Sequence, residues 1–533
     1  MESNVLSFGN SMLRLEQVCA PAGAKSSPTS EYILRLSIEV KGVAGIQKIS
    51  VPMAKLDSLN LEQSVSGLLY ASKAERTSVI LYLREEAMRF LEEKPLGAYF
   101  PDTGWYHTKF GDHAFCAGSE ILAGGVDHKG LSYQLSPAHS DLCFAAPADF
   151  DVNVHAPKFV ASLLKYPEYR IPASSYTVFS HLRSVWPMVD LPFASTLFVV
   201  GKSGTGKSTL AKNFCQLYDT SRNGGGDNVS EESGIADYYD AFSSPSFIGD
   251  ILPDVRDRVV LYDDICKSTS TEDRQTRLHN AVLLMRRVAN ESLVGKKLGC
   301  KNVTIPCRAG LVITAEILPQ ELSEITRCTL IHVTKERIGG TAEDRKLASG
   351  MLRAYLDWFA GNFDSELANL RQVKKNFPTN PHPEIERLWV SLVQQNWCFE
   401  SFLRFLSTIP SCQSLVPRCK AEASQVYASL LKQELALIKK MEQKKRTIEE
   451  QIADGIKQEI LPYLPYKGFI CVQFYDLLEF LRTYMGNSSL SNRKLSTYLH
   501  DNDLISIDCS NRVSKKVNGT RYVFLNPYRL KLI

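Results

Sequence analysis

A glycine-rich stretch in the first half of the chain, Gly201-Lys-Ser-Gly-Thr-Gly-Lys-Ser208, contains the residues best suited to holding phosphates. It fits the pattern G-x-x-x-x-G-K-[ST] at every position. Apolar residues 197–200 before it predict a buried strand, and Ser208 onward predicts a helix that starts at an anion. A chance Gly/Ser-rich turn would lack these flanks, so the sequence predicts a P-loop. The expected nucleotide-binding residues are Gly201, Ser203, Gly204, Thr205, Gly206, Lys207, Ser208 and Thr209.

The lysine and the hydroxyl of such a loop have separate tasks. Lys207 is expected to reach the β- and γ-phosphates of ATP, and the Ser208 hydroxyl to ligate Mg²⁺. The stretch Arg258-Val-Val-Leu-Tyr-Asp-Asp264 is an apolar run that ends in two carboxylates. Asp263 would hold Mg²⁺, and Asp264 would orient or deprotonate the attacking water. Two aspartates also occur at ordinary solvated strand ends, but their place after a P-loop favours ATP hydrolysis.

Two later positions complete the catalytic set. The run 309–316 predicts a third buried strand and places polar Thr314 near its end, beside the expected γ-phosphate, which is the position of a sensor. Arg327 comes just before the next β-rich run, where an arginine can act as a finger on a neighbouring subunit's nucleotide. The alternative is an ion pair between Arg327 and a carboxylate of its own subunit.

A basic insertion separates the acidic strand from the sensor strand. A helix is predicted over 274–289, and residues 292–306 have the composition of a hairpin. The residues at or near its tip would be Gly295, Lys296, Lys297, Gly299 and Lys301. A solvated basic turn would have the same composition, but an insertion before a core strand favours a loop that contacts DNA. Residues 343–359 then predict a helical lid, with Arg345 and Arg353 as candidates for a second sensor.

The C-terminal region is basic and predicts a winged helix. Helices are expected over 473–484 and 491–500, and strands around 505–507 and 521–524 joined by the basic segment 512–520. From Lys467 onward there are ten Lys or Arg residues against five Asp or Glu. The expected DNA contacts are Arg493 and Lys494 at the start of the second helix, and the wing lysines Lys515 and Lys516 on phosphates. A winged helix that binds a protein partner is the alternative.

The whole chain has the composition of a soluble globular protein. Its 533 residues suggest three or four domains. The net charge of +4 excludes a global basic field, so DNA affinity must come from local patches. Thirteen cysteines without a C-x-x-C pair indicate reduced thiols rather than a zinc ribbon. No run approaches a membrane span and the first residues do not resemble a signal peptide, so a cytoplasmic location and no membrane partner are expected.

The remaining segments are expected to be structural. Strands are predicted over 11–18, 31–40 and 47–52, and helices over 73–93 and 156–186. Trp105 is expected to be a core anchor rather than a platform for base stacking. No strand is evident around 222–227, residues 360–420 are helical in pattern, and 423–460 reads as a charged spacer helix.

Taken in order, these parts resemble the AAA+ helicases of the MCM-like and superfamily 3 type, particularly the replication ATPases of bacterial mobile elements. The resemblance covers about residues 100 to 533, and its specific motifs are 201–208 and Tyr262-Asp-Asp264; the basic insertion at 295–297, the Thr314 strand, Ser323 to Arg327 and the winged helix are less specific. It implies a homo-oligomeric ring, expected to be a hexamer, with ATP sites between subunits. Hairpins would pull DNA through a central channel.

The resemblance implies an α/β P-loop core of the AAA+ type with a β-rich N-terminal domain, a C-terminal helical region and a winged helix. The expected domains are 1–150, 151–360, 361–465 and 466–533. Thr314 replaces the usual asparagine, the paired aspartates fit superfamily 3 better than the Asp-Glu of MCM proteins, and no N-terminal zinc site is visible, which leaves the N-terminal domain's role open.

Two functions remain open from the sequence. One is an ATP- and Mg²⁺-dependent DNA helicase or translocase that acts on single-stranded and forked or duplex DNA in replication. The other is an ATPase switch without unwinding activity, such as a loader or a defence NTPase, whose winged helix binds a partner.

Overall fold

A computed structural model describes most of the chain. The described residues are 5–21, 32–70, 72–93, 97–100, 103–107, 113–117, 120–125, 142–193, 195–220, 235–240, 248, 252, 255–265, 271–290, 293–298, 301–319, 321–336, 338–380, 382–445, 447–466, 468–483, 490–505, 514–517 and 520–532. Contacts divide the chain into two compact units, Met1–Gln320 with Glu324–Leu430, and Glu321–Ser323 with Leu431–Ile533. None of the helices in these ranges has the length and apolar content that a membrane span requires.

The N-terminal part forms a sheet covered by one helix. Its elements are β1 (Val5–Phe8), β2 (Ser11–Pro21), β3 (Ile33–Val40), β4 (Ile46–Pro52), the 3-10 turns Met53–Ser58 and Leu61–Gln63, α1 (Lys73–Glu93) and β5 (Gly97–Tyr99). The antiparallel order is β1-β2-β3-β4, and β5 pairs in parallel with β2. The predicted strands and the helix over 73–93 are confirmed, because α1 buries Val79, Leu83, Ala87 and Phe90 at helical spacing.

A small sheet and two helices precede the core. They are β6 (Gly104–His107), β7 (His113–Ala117), β8 (Glu120–Leu122), β9 (Leu142–Phe144), α2 (Val152–Lys165), α3 (Pro167–His181) and the 3-10 turn Trp186–Val189. The predicted helix over 156–186 is in fact two helices, because Pro167 cannot donate a backbone hydrogen bond and starts a new one. Trp105 is a core anchor as predicted: it is 2% exposed, and its Nε1 donates to the carbonyl of His181 at 2.8 Å.

The core is a parallel sheet, which confirms the predicted α/β class. Its segment contains β10 (Thr196–Gly201), α4 (Lys207–Cys215), β11 (Tyr218–Thr220), β12 (Tyr238–Asp240), β13 (Val259–Ile265), α5 (Thr271–Ala289), β14 (Leu293–Leu298), β15 (Lys301–Pro306), β16 (Gly310–Ala315), α6 (Leu322–Ile325) and β17 (Cys328–Val333). The strand order is β12-β13-β16-β10-β17, with every pairing parallel. β10 and β16 are buried along their full length, as strands covered on both faces are.

Helices follow the core sheet. They are α7 (Ala342–Gly361), α8 (Phe363–Lys375), the 3-10 turns Pro383–Ile385 and Pro410–Cys412, α9 (Glu386–Ser407), α10 (Val416–Lys445) and α11 (Ile448–Lys457). The single spacer helix predicted over 423–460 is wrong. The chain starts a new helix after Thr447, whose hydroxyl accepts from the Glu450 amide while the Glu450 carboxylate accepts from the Thr447 amide.

The C-terminal elements form a sheet packed on helices. They are β18 (Leu464–Tyr466), β19 (Phe469–Gln473), α12 (Phe474–Thr483), α13 (Asn492–Asp501), β20 (Lys515–Val517) and β21 (Thr520–Leu525), with sheet order β18-β19-β21-β20. Both predicted helices are confirmed. β18 and β19 were not predicted, and the predicted wing loop is corrected because part of it is strand β20. Residues 506–513 lie outside the described residues.

Candidate functional site

The glycine-rich loop joins β10 to α4 in the predicted strand, loop and helix order. Gly204 and Gly206 have φ of 77° and 90°, a left-handed conformation that glycine adopts without strain. Inside the loop, the carbonyl of Lys202 accepts from the Thr205 hydroxyl at 2.8 Å and from the Lys207 ammonium at 2.9 Å. Lys207 is only 6% exposed, so its charge is held within the loop at the amide-rich start of α4.

A second loop supports the start of α4. Gly339 lies so close to this helix that an added β carbon would collide with Thr209 and with the carbonyl of Gly206. The Asn213 side chain donates to the Gly339 carbonyl at 2.9 Å. Buried Arg170 donates to the neighbouring carbonyl of Ile338 at 3.2 Å. The loop after β17 therefore fixes the helix that follows the glycine-rich loop.

The two aspartates occupy a bulge at the end of β13. The register against β16 shifts between Tyr262 and Ile265, and Asp264 has a φ of 65°. Such bulges redirect side chains and are frequent beside active sites. Asp263 is 3% exposed, whereas Asp264 is exposed. The bulge thus separates the environments of two adjacent carboxylates.

The Thr314 hydroxyl connects both aspartates. Thr314 lies on β16, which is inserted between β13 and β10, and it is fully buried. Its Oγ1 donates to Asp263 Oδ1 and accepts from the backbone N–H of Asp264 at 2.9 Å. The other Asp263 oxygen accepts from the Tyr238 hydroxyl at 3.1 Å. Both oxygens of the buried carboxylate therefore have fixed hydrogen-bond partners.

The side chains at this edge of the sheet suit ATP and Mg²⁺. Because parallel strands β10, β13 and β16 end at the same edge, the glycine-rich loop, the aspartates and Thr314 share it. An ammonium and the free amides of a helix start match phosphate oxygens. Mg²⁺ takes oxygen ligands, commonly one or two carboxylates plus phosphates, and Ser208 and Asp263 offer oxygen donors.

Arg327 lies at the opposite end of the sheet. Its carbonyl accepts from the Thr196 amide at 3.0 Å, and parallel pairing sets Thr196 beside Cys328 and Gly201 beside Val333. Five residues of strand separate the two ends by about 16 Å. Arg327 therefore does not reach the glycine-rich loop of its own chain.

The surroundings of Arg327 are rich in positive charge. Burial, followed by the charges of Arg387 and Arg286, lowers the pKa of Arg327, and Glu324 opposes this shift. The carboxylate of Glu324 also lies 3.5 Å from Arg286. Glu324 is therefore an acidic group that lies close to more than one arginine.

Of the candidates for a second sensor, Arg345 is wrong because its guanidinium group is engaged elsewhere, whereas the role of Arg353, which has a half-exposed ion pair, stays a prediction. Arg345 donates to the carbonyls of Gln216 and Tyr218 at 2.7 and 2.9 Å, beyond the C-terminal end of α4 and far from its phosphate-facing start. Arg353 pairs with Glu120.

The predicted basic hairpin exists, but its lysines lie in strands. Lys296 pairs with Val303, Lys297 with Asn302, and Lys301 with Leu298. The turn is residues 299–300, which lie outside the described residues. The expectation that Lys296 and Lys297 form the tip is therefore corrected: they lie in the strand leading to it.

The predicted C-terminal contacts fall on two elements. Arg493 and Lys494 are exposed in the first turn of α13, where the Ser491 hydroxyl caps the helix by accepting from the Lys494 amide at 3.2 Å. Lys515 and Lys516 are neighbours on β20. Adjacent strand residues point to opposite faces, so these two lysines do not share a surface.

Sequence reasoning missed two residues of the site. Tyr238 comes from a three-residue strand without periodicity, and its contact with Asp263 depends on the parallel pairing of β12 with β13. Gly339 could have been noticed as half of a Gly-Gly pair before a helix, a pattern typical of close backbone contacts.

Comparison with known proteins shows a likeness of fold to a solved helicase structure. No family model and no curated protein matches the sequence. The fold resembles the solved structure of the active helicase Cch of SCCmec type IV, with a TM-score of 0.53 and 13% identity over 98% of this chain and 96% of that one. One JCV helicase structure matches 48% of this chain and 61% of its own at 14% identity. A second matches 52% of this chain and 72% of its own at 13% identity. Their TM-scores of 0.19 and 0.20 are too low to support an argument.

Proposed function

We propose that this protein is an ATP-driven DNA helicase or translocase of the AAA+ type. The observation that carries the proposal is the Thr314 hydroxyl, which binds both Asp263 and Asp264 from β16, the strand between that of the aspartates and that of the P-loop. A hydrolytic site needs one group to hold metal and another to face water, and the bulge gives Asp263 a buried environment and Asp264 an exposed one.

The residues divide the work of hydrolysis. The P-loop amides and Lys207 hold the phosphates, while Ser208 and Asp263 would hold Mg²⁺, which would supply neutralisation of the phosphate charge. Exposed Asp264 orients or deprotonates the attacking water. Thr314 and Tyr238 keep Asp263 in one position.

Arg327 supports assembly into a ring. Because it lies at the far end of the sheet from its own P-loop, an arginine finger at this position acts on a neighbour. A closed ring of identical subunits, expected to be a hexamer, gives each ATP site such a partner. The ion-pair alternative keeps Arg327 with Glu324 in its own subunit.

Coupling to DNA is supported by three features. The β14–β15 hairpin carries Lys296, Lys297 and Lys301, the C-terminal region has a positive excess, and the fold resembles a protein described as an active helicase of SCCmec, which favours a role in replication of a mobile element.

A forked-duplex unwinding assay tests the proposal. Wild-type protein with ATP and Mg²⁺ is expected to release the labelled strand, and Lys207→Ala protein is not. ATPase activity that single-stranded DNA does not stimulate, with no strand release, would instead indicate the non-unwinding switch. Absence of Lys207-dependent ATPase activity would reject both functions.

A further inference from the structure

The C-terminal sheet has two chemically different faces. Val472, Val523 and Leu525 are unexposed and pack with Leu495 and Leu499 of α13 in one hydrophobic core. Because strand side chains alternate, the intervening residues point away from these helices. Residues paired directly across neighbouring strands lie on the same face of a sheet. The pairs on the outward side are Tyr466 with Phe469, Cys471 with Phe524, and Lys515 with Tyr522. We call this outward side, with Leu464, Tyr466, Tyr522, Phe524 and Lys515, the aromatic face; Phe524 is only 8% exposed, so the accessible rings are those of Tyr466 and Tyr522.

Contacts on the aromatic face confirm that its side chains meet. The rings of Tyr466 and Phe524 lie 6.0 Å apart at 76°, and the Lys515 ammonium lies 5.5 Å from the centre of the Phe524 ring. Tyr466 and Leu464 are 46% and 56% exposed on the edge strand β18. Exposed apolar side chains on an edge strand favour aggregation, so their presence indicates a binding role.

The chemistry of this face matches unpaired nucleotides. Proteins bind single strands by stacking bases on aromatic rings while cations follow the phosphates. Tyr466 and Tyr522 supply rings, and Lys515 supplies an ammonium next to them. A duplex keeps its bases stacked on each other and cannot use such rings. The Lys515 ammonium beside these rings favours an anionic ligand over a basic or neutral protein surface.

We propose that the aromatic face binds single-stranded nucleic acid, separately from α13 on the other side of the sheet. Lys515 and Lys516 then serve different ligands although they are adjacent. Lys515 points to the aromatic face, and Lys516, which pairs with Arg521, points to the side of α13, where Arg493 and Lys494 lie. The binding does not depend on ATP hydrolysis.

The test uses full-length protein without nucleotide, in a Lys296→Ala/Lys297→Ala background that weakens binding by the hairpin. Fluorescence anisotropy measures the Kd for an oligothymidine of about 20 nucleotides and for a blunt duplex. Tyr466→Ala is expected to raise the oligothymidine Kd about fivefold or more and to leave the duplex Kd within about twofold. Tyr466→Phe, which keeps the ring, should restore binding.

Matched controls come from the same domain. Tyr475→Ala removes a tyrosine that is 70% exposed on α12, outside the sheet, and should change neither Kd. Lys515→Ala should weaken single-strand binding, and Lys516→Ala duplex binding. Equal effects of Tyr466→Ala and Tyr475→Ala would overturn the proposal. So would unchanged oligothymidine binding with altered sedimentation, since the face would then be a contact between protein molecules.

Discussion

Removal of the Thr314 hydroxyl is the sharpest probe of the proposed ATPase site. Thr314→Val keeps the branched shape of the side chain and deletes one oxygen. That oxygen donates to the buried Asp263 carboxylate and accepts from the Asp264 amide. A hydrogen bond to a charged group contributes about 1.5–3 kcal/mol, and a buried amide left without a partner costs about 1–3 kcal/mol. Because the Asp264 amide is only part-buried, its loss counts for less than the full range, and the free energy of unfolding should fall by about 2–4 kcal/mol.

Turnover should fall further than this loss of stability explains. Without the hydroxyl, Asp263 loses one of two fixed partners, and the bulge at Asp264 loses the acceptor of its amide. A misplacement of about 1 Å can cost roughly 100-fold in rate. We expect kcat for ATP to fall about 100-fold while the Kd for ATP changes less than about threefold, because Lys207 and the P-loop are untouched.

Thr329→Val is the matched control. Thr329 is also fully buried in the parallel sheet, and its hydroxyl accepts from Gln395 at 2.7 Å and lies 3.2 Å from the Ser195 hydroxyl. Urea unfolding should show a comparable loss of stability in both variants, and a coupled ATPase assay should show a loss of kcat in Thr314→Val alone. Thr314→Ser should retain activity. If kcat of Thr314→Val stays within about twofold of wild type at equal folded fraction, the hydroxyl does not position the aspartates.

Three further changes probe the same framework. Asp264→Asn should bind ATP with an unchanged Kd but hydrolyse it at least 100-fold more slowly; loss of nucleotide binding in a filter assay would make Asp264 a metal-holding or structural group instead. Mixing Arg327→Ala with Lys207→Ala subunits, each inactive alone, should partly restore ATPase activity if Arg327 acts on a neighbour, whereas exchange of subunits without recovery would support the ion pair within one subunit. Burial lowers the pKa of His181 in the folded protein from 6.5 to about 4. As the pH falls from about 6.5 to about 4, the unfolded state binds a proton that the folded state does not, so the free energy of unfolding of the wild type should drop by up to about 3 kcal/mol. A His181→Gln variant, measured in parallel by thermal unfolding, should lack this part of the pH-dependent loss of stability.

The sequence was sufficient for features whose chemistry is local. The glycine-rich loop carries its own turn glycines, cation and helix start within eight residues, so its structure follows from its pattern. α1 likewise follows from apolar residues at helical spacing. The break between the two helices at Thr447 also has a local signal, the capping box of Thr447 and Glu450. The segments on both sides are charged, so the sequence indicated one continuous helix.

What the sequence could not predict depends on pairing between distant segments. Tyr238 reaches Asp263 only because β12 pairs with β13, and the segment between them carries no period. The separation of Lys515 from Lys516 likewise requires a strand where the composition indicated a loop. Arg345 and Arg353 lie on the predicted helix, but no sequence pattern places the carbonyls of Gln216 and Tyr218 next to Arg345.

Thr314 and the paired aspartates are best understood as one unit. A non-glycine residue in the left-handed region costs about 1–3 kcal/mol, and Asp264 has a φ of 65°. The conformation needs a nearby acceptor for the Asp264 amide and, at the same time, a donor for the Asp263 carboxylate. A hydroxyl performs both tasks through a single atom. An asparagine divides donor and acceptor between two atoms on a longer side chain, so it would not join these two groups at one point. A threonine at position 314 therefore suits the bulge that separates a buried, fixed Asp263 from an exposed Asp264.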